Sequence, residues 1–199
     1  MNFDITLSEI VDNGVNVDYG VIKGNDVLTF IKSGRGGTHV GDDGKYIKMA
    51  RRIHERCGGT VICASNPTDC ASSYEYDKRV IKRLADEMGF SELKLYLIGN
   101  SNGAYQNVHL ASLMPQTQEI MCVNMPLMIN FHRACEVLRA MKSVEKIVVY
   151  GTEDPSYSYV PFLEIKKLDA CRIIRADGID HCFTDHTDEF VALADLMNF

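Results

Sequence analysis

Five residues, Gly99-Asn100-Ser101-Asn102-Gly103, stand where an apolar stretch, LKLYLI, gives way to AYQNVHLASLM, whose pattern is helical. A serine set between glycines at such a change of direction is pushed into a demanding backbone conformation. Its hydroxyl is then shown at the turn, and the free N–H groups of the following helix face the same space. That arrangement suits a nucleophile; the plain alternative is a glycine-rich loop whose serine only caps the helix. A serine hydroxyl attacks poorly near neutral pH unless a base removes its proton and a third group orients that base. Two later stretches offer both. YGTEDPS carries Glu153 and Asp154 before Pro155, and CRIIRADGIDHCF ends on His181. Each follows an apolar run that reads as a parallel strand, so serine, acid and histidine are expected to converge at one edge of a sheet.

Each member of this trio has neighbours of similar chemistry. Glu153 is adjacent to Asp154 but should point elsewhere on an extended segment, and Asp180 is too close in sequence to His181 to orient its ring. His186 stands beside TDE, which reads as the cap of the final helix. His39, His54, His109 and His132 read as surface or helix-face residues, although His39 could line a pocket. His181 and His186 with Asp180, Asp185 and Asp188 would be the place for a metal ion. No second cluster supports one, so neither a metal nor a dissociable cofactor is expected. Cys182 reads as a packing residue and Cys70, in NPTDCASS, as a loop thiol. Met125 and Pro126 follow a strand and read equally as pocket wall or core.

The elements that must position these residues are legible as repeated units. Residues Phe3 to Leu7 alternate apolar and polar, as do Val15, Val17, Tyr19 and Val21 after the turn signal VDNG, which predicts an antiparallel pair with one wet face. Continuous apolar runs then follow at DVLTFI, GTVICA, LKLYLI, QEIMCVN, KIVVYG and CRIIRA, as expected of strands covered on both faces. Between them lie helical faces: one closing on Ile53 and Cys57, one from Val80 to Met88 with Gly89 as its stop, one from Phe131 to Met141, and a last from Phe190 to Met197. The expected fold is α/β, a three-layer α/β/α sandwich whose sheet is mainly parallel with antiparallel N-terminal strands. Residues 1–199 are expected to form one domain.

Composition narrows the partners. A net charge of −6 leaves no basic stripe for a phosphate backbone, so no nucleic-acid partner is expected. The opening MNFDITLSEI has an early acid and no basic or apolar leader pattern, and no apolar run is long enough for a membrane span. Seven scattered cysteines without a C-x-x-C pair read as reduced, mostly buried thiols, so a cytoplasmic location away from membranes is expected. The oligomeric state is left open.

With GNSNG, YGTEDP and GIDHCF in this order, and FIKSGRGGT after the third strand, the chain resembles the α/β-hydrolase superfamily over nearly its whole length. The resemblance implies that Ser101 is the nucleophile, Asp154 the orienting acid and His181 the general base. It also implies an oxyanion hole formed by the backbone N–H groups of Asn102 and of Arg35, with Gly36 as the alternative to Arg35. Two features depart from the common pattern. Ser33-Gly34 stands where many members have His-Gly, and the stretch between CVNMPL and KIVVYG leaves room for one helix but not for a cap domain. The implied activity is that of a carboxylesterase-like serine hydrolase, acting on a small-molecule ester or related acyl substrate through an acyl-enzyme. An acyltransferase would need the same trio, and a catalytically silent binding or scaffold protein could keep the fold. Thioester, amide and peptide substrates stay open beside esters. Without a lid segment, short acyl chains are expected to be preferred over long ones.

Overall fold

The computed structural model describes residues 2–11, 14–69 and 74–199. Asp12 and Asn13 of the expected first turn, and Cys70, lie outside the described residues. Eight strands form one sheet: β1 (Ile5–Val11), β2 (Val15–Ile22), β3 (Asn25–Lys32), β4 (Gly59–Ala64), β5 (Lys94–Asn100), β6 (Thr117–Val123), β7 (Glu145–Gly151) and β8 (Cys171–Ala176). Their spatial order is β1-β2-β4-β3-β5-β6-β7-β8. β1 pairs with β2, and β2 with β4, antiparallel; every other pairing is parallel. The chain leaves β3 for β4 on one side and returns to β5 on the other. The ends of β3 and β5 therefore lie side by side where the connections diverge, the usual place for a ligand in such a sheet.

The period of two along each strand sends alternate residues to opposite cores. In β5, Leu95 and Leu97 join one apolar cluster while Tyr96 and Ile98 join the other; β6 and β7 divide in the same way. One face is covered by α2 (Tyr74–Glu87), α3 (Asn102–Leu113), α4 (Leu127–Ala140) and the short α5 (Val160–Ile165). The other is covered by α1 (Lys45–Cys57) and α6 (Thr187–Ala192), which runs on into a 3-10 turn. This is the expected three-layer sandwich, with the antiparallel strands at its start.

Several local expectations change. β8 is an edge strand, and its residues are partly covered or exposed rather than buried on both faces. α4 starts earlier than its apolar periodicity suggests and is broken at Asn130 (φ −154°, ψ 61°); Met128 and Ile129, before the break, are exposed, and the expected packed face follows it. Met125 is fully buried in the core, and its carbonyl accepts from the hydroxyl of Tyr150 at 2.6 Å. Beneath the third-strand loop, Lys32 at the end of β3 is fully buried. Its ammonium meets Asp77 of α2 at 2.9 Å, and the same carboxylate accepts from Tyr19 of β2 at 2.9 Å. A buried charge survives only when paired and hydrogen-bonded, and this network ties two strands and a helix together under the candidate site. Among the described residues, no helix is long and apolar enough to cross a membrane.

Candidate active site

Ser101 links β5 to α3 with φ 52° and ψ −123°, a conformation that a non-glycine residue rarely adopts. Its neighbours explain why the chain can turn there. A Cβ on Gly99 would lie 2.4 Å from the backbone of Ala104, and one on Gly103 would lie 2.3 Å from the carbonyl oxygen of Ser33. Only glycine at both positions lets α3 pack this close to β5 and to the loop after β3. The Ser101 N–H donates to Val123 of the neighbouring strand at 2.8 Å, which fixes the turn to the sheet.

At this turn three sequence-predicted side chains meet. The Oγ of Ser101 is 2.8 Å from Nε2 of His181, and Nδ1 of the same ring bonds Oδ2 of Asp154. The other carboxylate oxygen of Asp154 accepts from the backbone N–H of Ser156 at 2.6 Å, so both oxygens are engaged. Asp154 is buried, 4% exposed, whereas Glu153 is on the surface. The Asp154 hydrogen bond raises the His181 pKa above its ordinary value; burial of the ring opposes this only in part.

The two loops that carry acid and histidine are fastened to each other. Glu153 N–H donates to Ile179 O at 3.0 Å, and Gly178 N–H to Thr152 Oγ1 at 2.9 Å. Gly151 permits the crossing, since a Cβ there would lie 2.1 Å from the Ile179 carbonyl oxygen. A third connection comes from Asn124, at the end of β6 and fully buried. Its Oδ1 accepts from Gly151 N–H at 2.9 Å, and its Nδ2 donates to the carbonyls of both Asp180 and His181 at 3.1 Å. One carboxamide thus sets the strand leading to Asp154 and the backbone of His181 against the sheet.

The loop after β3 lies over Ser101. Gly36 N–H is committed to Asn66 O at 2.7 Å, and Gly34 N–H faces the hydroxyl of Tyr46. Among the described residues, the N–H groups of Arg35 and of Asn102 meet no acceptor. Asn66 ties this loop to the serine turn: its Nδ2 donates to Ser33 O at 3.0 Å and to Asn102 Oδ1 at 3.1 Å.

A cavity of about 240 Å³ opens beside Ser101 and His181, walled by the Gly34–Thr38 loop, by Lys45 and Tyr46 of α1, and by Cys182. Cys182, expected to pack, is exposed on this wall. His39, expected as a possible pocket residue, instead packs against the ring of Phe3. His186 bonds Glu189 at 3.1 Å, and Asp180 accepts the backbone N–H groups of Cys182 and Thr184. Among the described residues, no group of three or more His, Cys, Asp or Glu side chains is placed to hold a metal ion. Asn124, Asn66 and Lys45 were not singled out from the sequence. The only local signal was the asparagine ending the apolar run QEIMCVN.

No family model matches the sequence, and no curated protein does so. Solved structures do match its fold. An α/β serine hydrolase homologue from Coxiella burnetii has a TM-score of 0.75 at 14% identity, over 98% of this chain and 97% of that one. Est1E from Butyrivibrio proteoclasticus has a TM-score of 0.72 at 11% identity, over 96% of each chain. An α/β serine hydrolase without lid from Xanthomonas campestris has a TM-score of 0.66 at 18% identity, over 96% of this chain and 92% of that one. The chain has the α/β-hydrolase fold.

Proposed function

We propose that the protein is a serine hydrolase that cleaves a carboxylic ester or related acyl substrate through an acyl-enzyme on Ser101. The observation that carries this reading is the continuous hydrogen-bonded path from Ser101 Oγ through the His181 ring to a buried Asp154. His181 Nε2 takes the hydroxyl proton as Oγ bonds the substrate carbonyl carbon, and the carbonyl electron pair moves to oxygen. In this reading the N–H groups of Arg35 and Asn102, which meet no acceptor among the described residues, receive that negative oxygen, and fixed donors of this kind stabilise such a transition state strongly. When the tetrahedral species collapses, the bond to the leaving group breaks and His181 returns the proton to it. Water then repeats the sequence, with His181 as base, and releases the acid. Asp154 holds the ring with Nε2 toward the serine and stabilises the imidazolium that forms.

The small, open cavity favours short acyl groups. Each buried methylene contributes roughly 0.8 kcal/mol, so a site that cannot enclose a long chain has little reason to prefer one. The test is the ratio of kcat/KM for butyryl against palmitoyl esters of one leaving group, in the wild type and in Ser101→Ala. The reading expects butyryl to be favoured, no activation at a lipid–water interface, and no turnover in the variant. Turnover that survives in a folded Ser101→Ala protein overturns it.

A further inference from the structure

We propose that the substrate carries a carboxylate near its scissile carbonyl and that Lys45 binds it. This rests on the hydrolase reading above and extends it to a substrate class. Lys45, the first residue of α1, is 6% exposed and lines the same cavity as Ser101 and His181. Its ammonium donates to Cys182 O at 3.0 Å and lies over the rings of Phe190 and Tyr46, 5.2 and 5.7 Å from their centroids. Among the described residues, no carboxylate forms an ion pair with it.

A buried ammonium is ordinarily paired with an anion, because removing its charge from water is costly. Here a single carbonyl and two ring faces stand in for that partner, and an ammonium has further N–H donors to offer. A carboxylate entering the cavity would take them in charge-assisted hydrogen bonds. Proximity to the reacting groups is independently visible, since the charge of Lys45 opposes protonation of His181. Arg35, whose guanidinium donates to the Thr68 carbonyl at 3.2 Å and forms no ion pair among the described residues, adds a second positive charge to the same wall. Among the described residues, Asp42 is the one carboxylate lining the cavity; it is exposed and makes no ion pair with Lys45. A cavity of about 240 Å³ suits a short diacid monoester or an ester of a small hydroxy acid.

The experiment compares kcat/KM within two matched pairs: monophenyl adipate against the phenyl ester of adipic acid monoamide, and 4-acetoxybenzoate against 4-acetoxybenzamide. The anionic member of at least one pair should be favoured on the order of tenfold or more, the scale of a hydrogen bond to a charged group. Lys45→Met should bring that ratio, measured within the variant, close to one, and Lys45→Arg should largely restore it. Should neither variant fold, free adipate must slow fluorophosphonate labelling of the wild type while adipamide does not. Equal or better turnover of the neutral members in both pairs, a preference that persists in Lys45→Met, or absent protection by adipate overturns the inference and leaves the hydrolase reading standing. Absence of both turnover and labelling in the wild type overturns both.

Discussion

Replacing Asn124 by alanine separates a residue that positions the site from one that merely fills space. Three groups lose their partner. The Gly151 N–H lies in a buried contact, and left without an acceptor it costs about 1–3 kcal/mol. The carbonyls of Asp180 and His181 are only part-buried, so water can replace some of what is lost, leaving about 0.5–1 kcal/mol each. The total is about 2–5 kcal/mol of stability, a large fraction of the usual margin for a domain. Asn124 also holds φ 47°, a region that asparagine tolerates better than alanine. The kinetic consequence is separate. With the His181 backbone released, the ring can drift, and a misplacement of about 1 Å costs on the order of 10²-fold in rate. Because Asn124 does not line the cavity, kcat should fall while KM changes little. Asn124→Asp, equal in size but without donors for the two carbonyls, should be as damaging as alanine. The assays are urea unfolding and steady-state kinetics on one short ester. Variants within about 0.5 kcal/mol of wild type, with unchanged kcat, would refute the clamp.

Three further outcomes follow from the same geometry. Asp154→Asn should cost about 10⁴-fold in turnover, as expected when the base takes the wrong tautomer, whereas Glu153→Gln on the surface should be mild; the reverse ranking would move the orienting role to Glu153. His181 must be neutral to act as base, and its pKa is raised by Asp154, so kcat/KM should fall as pH drops through a midpoint above the ordinary histidine value near 6.5. Loss of the Asp154 carboxylate should move that midpoint down, which a pH–rate profile of Asp154→Asn checks in its residual activity. Asp77→Ala leaves the Lys32 charge buried and unpaired and should destabilise by about 3–5 kcal/mol in chemical unfolding; an unchanged unfolding midpoint would contradict the network.

What the sequence made legible was whatever depends on nearby residues. The turn at Ser101 was readable because its glycines answer a local demand, the approach of α3 to the end of β5. The central strands were readable because burial on both faces leaves a continuous apolar run, as in Leu95–Ile98. β8 read as fully covered from composition alone, since only its place at the sheet edge exposes it. The supports of the site were hidden for a different reason. Asn124 reaches residues 27 and 57 positions away, and Lys45 reaches Cys182 across 137. Such polar residues, read singly, look like surface, and only the topology assembles them. The engagement of the Gly36 N–H by Asn66 O was likewise a matter of loop closure, invisible in the local sequence. The short helical turn after Asp154 did leave a signal, an aspartate before proline and serine, whose carboxylate caps the Ser156 N–H.

The most direct measurement is intact-mass analysis after treatment with a fluorophosphonate, followed by peptide mapping. The account predicts one adduct on the native protein, located at Ser101, and none on a Ser101→Ala protein with the same circular dichroism and melting behaviour. A folded wild type that forms no adduct, or an adduct that persists in folded Ser101→Ala, would contradict it.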